Sequence, residues 1–184
     1  AARAPDAEAF DSVSVGQLDG DARAIALELR ERGLAGQPVL LALASGYDYV
    51  RALIGCFYAG AIAVPAYPAT DSQLSRANQR IRAIVEDAGA RAALSVGALD
   101  LGRGVSTIDI GALPPSAAGG ARDWSLDPDA TCLLQYTSGS TASPKGVAIT
   151  LRQLTANLST IQRTVGTTSD DVMATWLPPY HDMG

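Results

Sequence analysis

Apolar side chains first recur at helical spacing as Leu18, Ala22, Ile25, Ala26 and Leu29, with Asp19 and Asp21 near the start and Gly33 as the stop. That stripe predicts an amphipathic helix. The apolar run 39–44 suits a buried strand, because a strand covered on both faces needs no polar alternation. Gly46 opens a second helical stretch carrying Val50, Leu53, Ile54 and Phe57, and Gly60 ends it. The run 61–67 reads as the next strand, stopped by Pro65 and Pro68. Leu74, Ala77, Ile81, Ile84, Val85 and Ala88 form a third helical stripe, with Arg76, Arg80, Arg82 and Asp87 mostly off it. Residues 91–96 give another strand.

Helix, strand, helix, strand, helix, strand is the order of an α/β fold, in which helices pack on both faces of a mostly parallel sheet. Right-handed crossovers then gather the loops that follow the strands along one edge, where ligands usually sit. Residues 1–15 read as a loose N-terminal lead. Residues 97–130 are broken repeatedly by glycine and proline and read as a long irregular connection with one short strand candidate at 105–110. After it come a strong strand at 131–137, a second at 146–150, a helix carrying Leu151, Leu154, Leu158, Ile161 and Val165, and a final strand at 172–177. No repeat recurs at a period of roughly 20–50 residues.

The 184 residues, 47% hydrophobic and 18% charged, suffice for about one domain, or for one and part of another, and exclude a disordered chain. A net charge of −5 argues against nucleic acid as a partner, since duplex binding needs clustered positive charge. The most apolar stretch, 52–67, is interrupted by Pro65 and shorter than the ~20 residues of a membrane span. The first residues carry neither a Met nor an apolar signal core, so the chain is expected to be a piece of something longer. Cys56 and Cys132 lack CxxC spacing and lie in apolar runs, which points to buried reduced thiols and a cytoplasmic location.

The basic residues are lopsided. Of 14 Lys and Arg residues 13 are Arg, leaving Lys145 as the one Lys, and His181 is the one His. Lys145 falls in the segment Thr-Ser-Gly-Ser-Thr-Ala-Ser-Pro-Lys-Gly, residues 137–146, between two predicted strands. One reading is a hairpin loop rich in turn formers. The other is a phosphate cradle: Thr137, Ser138, Ser140 and Thr141 offer hydroxyls, Gly139 lets backbone N–H groups turn inward as an anion nest, and Lys145 adds a mobile point charge before Gly146. It differs from the common strand-to-helix phosphate loop, in which Lys precedes the hydroxyl and a helix follows.

The segment 133–147, Leu-Leu-Gln-Tyr-Thr-Ser-Gly-Ser-Thr-Ala-Ser-Pro-Lys-Gly-Val, resembles the signature loop of the adenylate-forming superfamily of acyl-CoA synthetases, luciferases and peptide synthetase adenylation domains. The segment 176–184, Trp-Leu-Pro-Pro-Tyr-His-Asp-Met-Gly, resembles a motif of its fatty acyl-AMP ligases. The stretches 55–68 and 87–90 are similar to those ligases too, so the likeness runs from about residue 15 to the end. One position departs from the pattern, Ala142 standing where the family usually has Gly.

This resemblance implies the first part of the large N-terminal domain of an adenylate-forming enzyme, with residues 16–184 as an incomplete domain. It implies ATP-dependent conversion of a fatty acid to its acyl-adenylate, then transfer to the phosphopantetheine thiol of an acyl carrier protein. By that analogy Thr137, Ser138, Gly139, Ser140, Thr141, Lys145 and Gly146 grip the ATP phosphates, with Mg2+ sharing the charge. Tyr180, His181, Asp182, Met183 and Gly184 border the acyl and pantetheine pocket. On the residues alone, His181 is as readily a packed side chain, and Asp182 either orients it or caps a helix. The catalytic Lys is expected beyond Gly184, which makes the fragment alone inactive, and no metal-binding cluster is expected within it. Three other readings stay open: a CoA-forming ligase, a peptide synthetase adenylation domain, and a phosphate- or nucleotide-binding module without catalysis.

Overall fold

Ser14 caps the first helix, its side chain accepting from the Gln17 N–H at 3.1 Å. The computed structural model describes residues 12–66, 74–97, 99, 101, 104–114, 125–136, 144–173, 175 and 177, with the side chains of 74–78 left out of that description. Its elements are α1 (Val15–Glu31), β1 (Pro38–Leu41), α2 (Tyr47–Ala59), β2 (Ile62–Pro65), α3 (Leu74–Ala88), β3 (Ala92–Ser95), β4 (Ser106–Asp109), a 3-10 turn at Ile110–Ala112, β5 (Thr131–Tyr136), β6 (Gly146–Thr150) and α4 (Leu151–Val165). The strands form one sheet in the order β4-β3-β1-β2-β5-β6. Every neighbouring pair is parallel except β5–β6, which is antiparallel.

The short apolar strands are buried on both faces. In β1, Val39 and Leu41 point to one side, into a cluster with Ile25 and Leu29 of α1 and Tyr49, Ala52 and Cys56 of α2. Leu40 points to the other side, with Val64, Ala93, Tyr136 and the α3 residues Ile81 and Ile84. Side chains alternate along a strand, so a run of consecutive apolar residues is what a sheet sandwiched between helices requires. Ala63 and Val64 divide between the two clusters in the same way, as do Leu94 and Ala93.

α1 and α2 lie close together because Gly55 has no side chain. A β-carbon at that position would meet Ile25 Cγ2 at 2.7 Å and the Ala22 carbonyl oxygen at 3.0 Å. A polar clamp reinforces the contact. Asp19 accepts from Arg23 Nε at 2.9 Å and from the Tyr58 hydroxyl at 2.8 Å, and the Arg23 guanidinium lies 5.2 Å from the Tyr58 ring centroid. The hydrogen bonds from Arg23, then from Tyr58, hold the Asp19 carboxyl below its ordinary pKa.

Several boundaries differ from those the pattern predicts. β1 ends at Leu41 rather than 44: the Ala42 N–H still donates to the Leu94 carbonyl at 3.0 Å, after which the chain turns toward Gly46, at φ 144°, and enters α2. Pro65 lies inside β2 as its last residue, paired with Leu41, and the Tyr67 end of that predicted strand lies outside the described residues. Ile110 leaves its strand because the Asp109 side chain accepts from the Gly111 N–H at 2.9 Å and caps a 3-10 turn.

The strand expected at 172–177 is not formed among the described residues, and Val172 is 96% exposed there. Apolar composition favours a strand only where a neighbour completes the backbone ladder, and no described strand pairs with this segment. The last helix forms as the periodicity predicts, closed at its start by a capping box in which Thr150 and Gln153 exchange hydrogen bonds. No residue of it is buried, however, and Leu158, Ile161 and Val165 are exposed among the described residues. No helix among the described residues is long and apolar enough to cross a membrane.

Candidate functional site

Because β1, β2, β3 and β5 are parallel, their carboxyl ends share one edge of the sheet. β5 leaves that edge at Tyr136 and β6 re-enters opposite it, with Tyr136 paired to Gly146. The end of β5 and the start of β6 therefore meet at the carboxyl edge, and Lys145 stands immediately outside the first residue of β6. Its side chain is exposed, and among the described residues no carboxylate forms an ion pair with it. A cation left uncommitted at a ligand-bearing edge is suited to an incoming anion.

The root of this hairpin is built around the Tyr136 ring, which is 7% exposed and belongs to the cluster under α3. Its hydroxyl donates to Asp87 Oδ2, near the end of α3, at 2.6 Å. On the β6 side the ring lies against Gly146, where a β-carbon would meet ring carbon Cζ at 2.9 Å and the hydroxyl oxygen at 3.0 Å. Only glycine fits that seat without movement. Burial, then the bond to Asp87, pushes the phenol far above its ordinary pKa, so it remains a hydrogen-bond donor at neutral pH.

Farther along the same edge, beyond β2, a cleft of about 230 Å3 opens where β1 turns into α2, lined by Leu43, Ser45, Tyr47, Asp48 and Val96 among others. The Tyr47 hydroxyl donates to Asp21 Oδ2 at 2.7 Å, and burial with that bond raises its pKa to about 12. Arg51 is committed to Asp48, Nη2 to Oδ1 at 2.6 Å, and donates to the Ile110 carbonyl at 3.3 Å. A second cavity, of about 200 Å3, lies at the opposite edge against Arg30, Phe57, Leu126 and Cys132. Both thiols are buried and free. Desolvation raises the Cys56 pKa to about 12 and that of Cys132 upward, which leaves neither a ready nucleophile.

Of the candidate phosphate ligands, Lys145 and Gly146 are described, and both sit at the hairpin root. Thr137, Ser138, Gly139, Ser140 and Thr141, together with Ala142, lie outside the described residues, as do Tyr180, His181, Asp182, Met183 and Gly184. Sequence reasoning missed the link between Tyr136 and Asp87. Both residues lie in segments singled out for their resemblance, yet nothing in a linear pattern joins positions 49 apart.

Comparison with known proteins extends this picture along the whole chain. A family model described as AMP-binding enzyme matches residues 1–184. The medium-chain-fatty-acid–[acyl-carrier-protein] ligase JamA of Moorena producens is 34% identical over 186 aligned positions, which cover 95% of this chain and 31% of that protein. The long-chain-fatty-acid–AMP ligase FadD23 of Mycobacterium tuberculosis is 33% identical, over 87% of this chain and 30% of that protein. Among solved structures, the fatty acyl-adenylate ligase from L. pneumophila in complex with acyl adenylate and pyrophosphate superimposes with a TM-score of 0.85 at 31% identity, covering 98% of this chain and 32% of that one. The chain thus spans about three-tenths of the length of the curated relatives it matches.

Proposed function

We infer function from one premise: the chain belongs to the AMP-binding enzyme family. The protein of which it forms a part activates a fatty acid with ATP, giving an acyl-adenylate and pyrophosphate, and passes the acyl group to the phosphopantetheine thiol of an acyl carrier protein. The observation that carries this reading is the likeness, across at least 87% of the chain, to ligases named for fatty acid with AMP and for fatty acid with carrier protein. The hairpin supplies a physical counterpart: an exposed ammonium at the carboxyl edge of a parallel sheet.

The chemistry needs positioning and charge. A carboxylate is a poor electrophile, and adenylation gives it a good leaving group. As its oxygen attacks the α-phosphorus, negative charge moves onto pyrophosphate, and fixed donors must stabilise it. In this reading Lys145 holds the outer phosphates by charge, and the hydroxyls and backbone N–H groups of Thr137, Ser138, Gly139, Ser140 and Thr141 direct hydrogen bonds to them. Gly146 lets the strand return close to Tyr136. Mg2+, when bound with ATP, would share the phosphate charge. Tyr180, His181, Asp182, Met183 and Gly184 border the route of acyl chain and thiol, and the work is cytoplasmic. Residues 16–184 form the first part of the adenylating domain, and 1–15 lead into it.

The test uses the full-length protein. Fatty-acid-dependent ATP–pyrophosphate exchange should be present in the wild type. Lys145→Ala should lower kcat/KM for ATP roughly tenfold to a hundredfold, the equivalent of losing a charge-assisted hydrogen bond of about 1.5–3 kcal/mol. Fatty-acid KM should change little, and Lys145→Arg should rescue only in part, since a planar fork replaces a point charge. Unchanged ATP kinetics in Lys145→Ala return the segment to a decorated hairpin. Acyl transfer to CoA in preference to carrier protein would move the protein to the CoA-forming branch.

A further inference from the structure

We propose that Tyr136 and Asp87 act together as positioning residues for the phosphate-binding hairpin, fixing the point from which Lys145 reaches its anion. The proposal rests on the reading of that hairpin as the ATP phosphate site. Three observations carry it. The Tyr136 hydroxyl crosses from β5 to α3 and donates to Asp87 at 2.6 Å. The same ring is the surface on which Gly146, the neighbour of Lys145, rests without room for a side chain. Among the described residues, the ring's neighbours in its buried cluster are apolar, Leu40, Val64, Ile81 and Ile84 among them.

Apolar contacts are non-directional, so they bury the ring without fixing its tilt about the strand. Among the described residues, the directional restraint on the ring is its bond to the carboxylate. Any tilt is transmitted to Gly146, because a ring so close leaves no room for a β-carbon there, and from there to Lys145, the residue before it. A misplacement of a fraction of an ångström matters little to stability but much to a group that must meet a phosphate oxygen. The Tyr136 hydroxyl is taken up by Asp87 within the buried cluster, so the pair is assigned a positioning and not a catalytic part.

The experiment uses the full-length protein and four variants: Tyr136→Phe, which deletes only the hydroxyl, Asp87→Ala, Asp87→Asn, and Tyr136→Phe combined with Asp87→Ala. Each is assayed for KM of ATP, KM of fatty acid, kcat of ATP–pyrophosphate exchange and melting temperature, with Lys145→Ala alongside. Tyr136→Phe and Asp87→Ala should each raise the ATP KM roughly threefold to tenfold and leave the fatty-acid KM in place. The double variant should be no worse than either single one, since both remove one interaction. Asp87→Asn should recover most of the loss, because its amide oxygen still accepts the phenol hydrogen.

A lowered melting temperature with unchanged ATP KM would make the pair structural and overturn the proposal. So would losses that add in the double variant. If Lys145→Ala weakens ATP while Tyr136→Phe does not, positioning fails and the phosphate reading survives. If Lys145→Ala has no effect on ATP, the phosphate reading falls and takes this proposal with it.

Discussion

Gly55→Ala tests how tightly the first two helices are joined. The new β-carbon would lie 2.7 Å from Ile25 Cγ2, 2.8 Å from Ile25 Cβ and 3.0 Å from the Ala22 carbonyl oxygen. Comfortable carbon–carbon contacts are about 3.5–4.0 Å, so α1 and α2 must part by up to about 1 Å. A rotamer change at Ile25 moves Cγ2 but not Cβ, so the backbones have to yield. Overpacking of this kind costs about 1–3 kcal/mol. Replacing a mid-helix glycine by alanine returns about 1 kcal/mol of helix propensity. Two of the three contacts are with atoms fixed to the backbone, which puts the steric cost toward the top of its range and leaves a net loss of about 1–2 kcal/mol. Thermal unfolding of the full-length protein, followed by circular dichroism, should show a melting temperature lower by roughly 1–2 °C, the shift per kcal/mol being small in a long chain. In an Ile25→Ala background the same substitution should cost less but not vanish, because the Cγ2 contact is gone while the β-carbon of residue 25, at 2.8 Å, and the Ala22 carbonyl oxygen, at 3.0 Å, remain. A melting temperature raised by Gly55→Ala in the wild-type background would refute the close approach.

Two further perturbations follow from the polar contacts. Hydrogen bonds depress the folded-state pKa of Asp19, so its contribution is present above the unfolded carboxylate value and is lost as pH falls through the folded one. Asp19→Asn should therefore lower neutral-pH stability by up to about 1 kcal/mol, the carboxylate being partly exposed, and flatten the acid limb of a stability titration between about pH 5 and pH 3; an unchanged acid limb would remove Asp19 from the clamp. Thr150→Ala deletes the acceptor of the Gln153 N–H, a bond of 3.2 Å, from the start of α4. It should cost about 1 kcal/mol and speed amide exchange in the first turn of α4 about fivefold, against no change if the cap is idle.

Where a segment answers to its own neighbours, the pattern read true. The α1 stripe at Ala22, Ile25, Ala26 and Leu29 is the buried face of that helix, and the short strands are apolar because helices cover both faces. Where a segment needs a partner, the pattern fell short. Leu158, Ile161 and Val165 predict a helix correctly but say nothing of what covers them, and Val172 has strand character without a strand to join among the described residues. The site divides in the same way. Lys145 was legible as a lone cation among turn formers, whereas the Tyr136–Asp87 bond and the glycine seat at Gly146 depend on α3 crossing behind β5, which no spacing encodes.

The topology also gives a reason for that lone Lys. In a doubly wound sheet the connection leaving a strand usually becomes a helix, whose amino terminus offers aligned N–H groups to a phosphate. After β5 the chain returns as β6 instead. Thr150, the last residue of β6, pairs with Thr131, the first of β5, so α4 begins at the amino edge, a full strand length from the hairpin. The β5 connection therefore cannot use the dipole of the helix that follows it. In the proposed reading a side chain supplies positive charge there, and the return strand places Lys145 at its entrance with no carboxylate paired to it among the described residues. A side-chain ammonium is mobile where a helix terminus is rigid. A phosphate site built as proposed would gain most from a stiff root, which is the part proposed for the Tyr136 ring, held on Asp87 and pressed against Gly146.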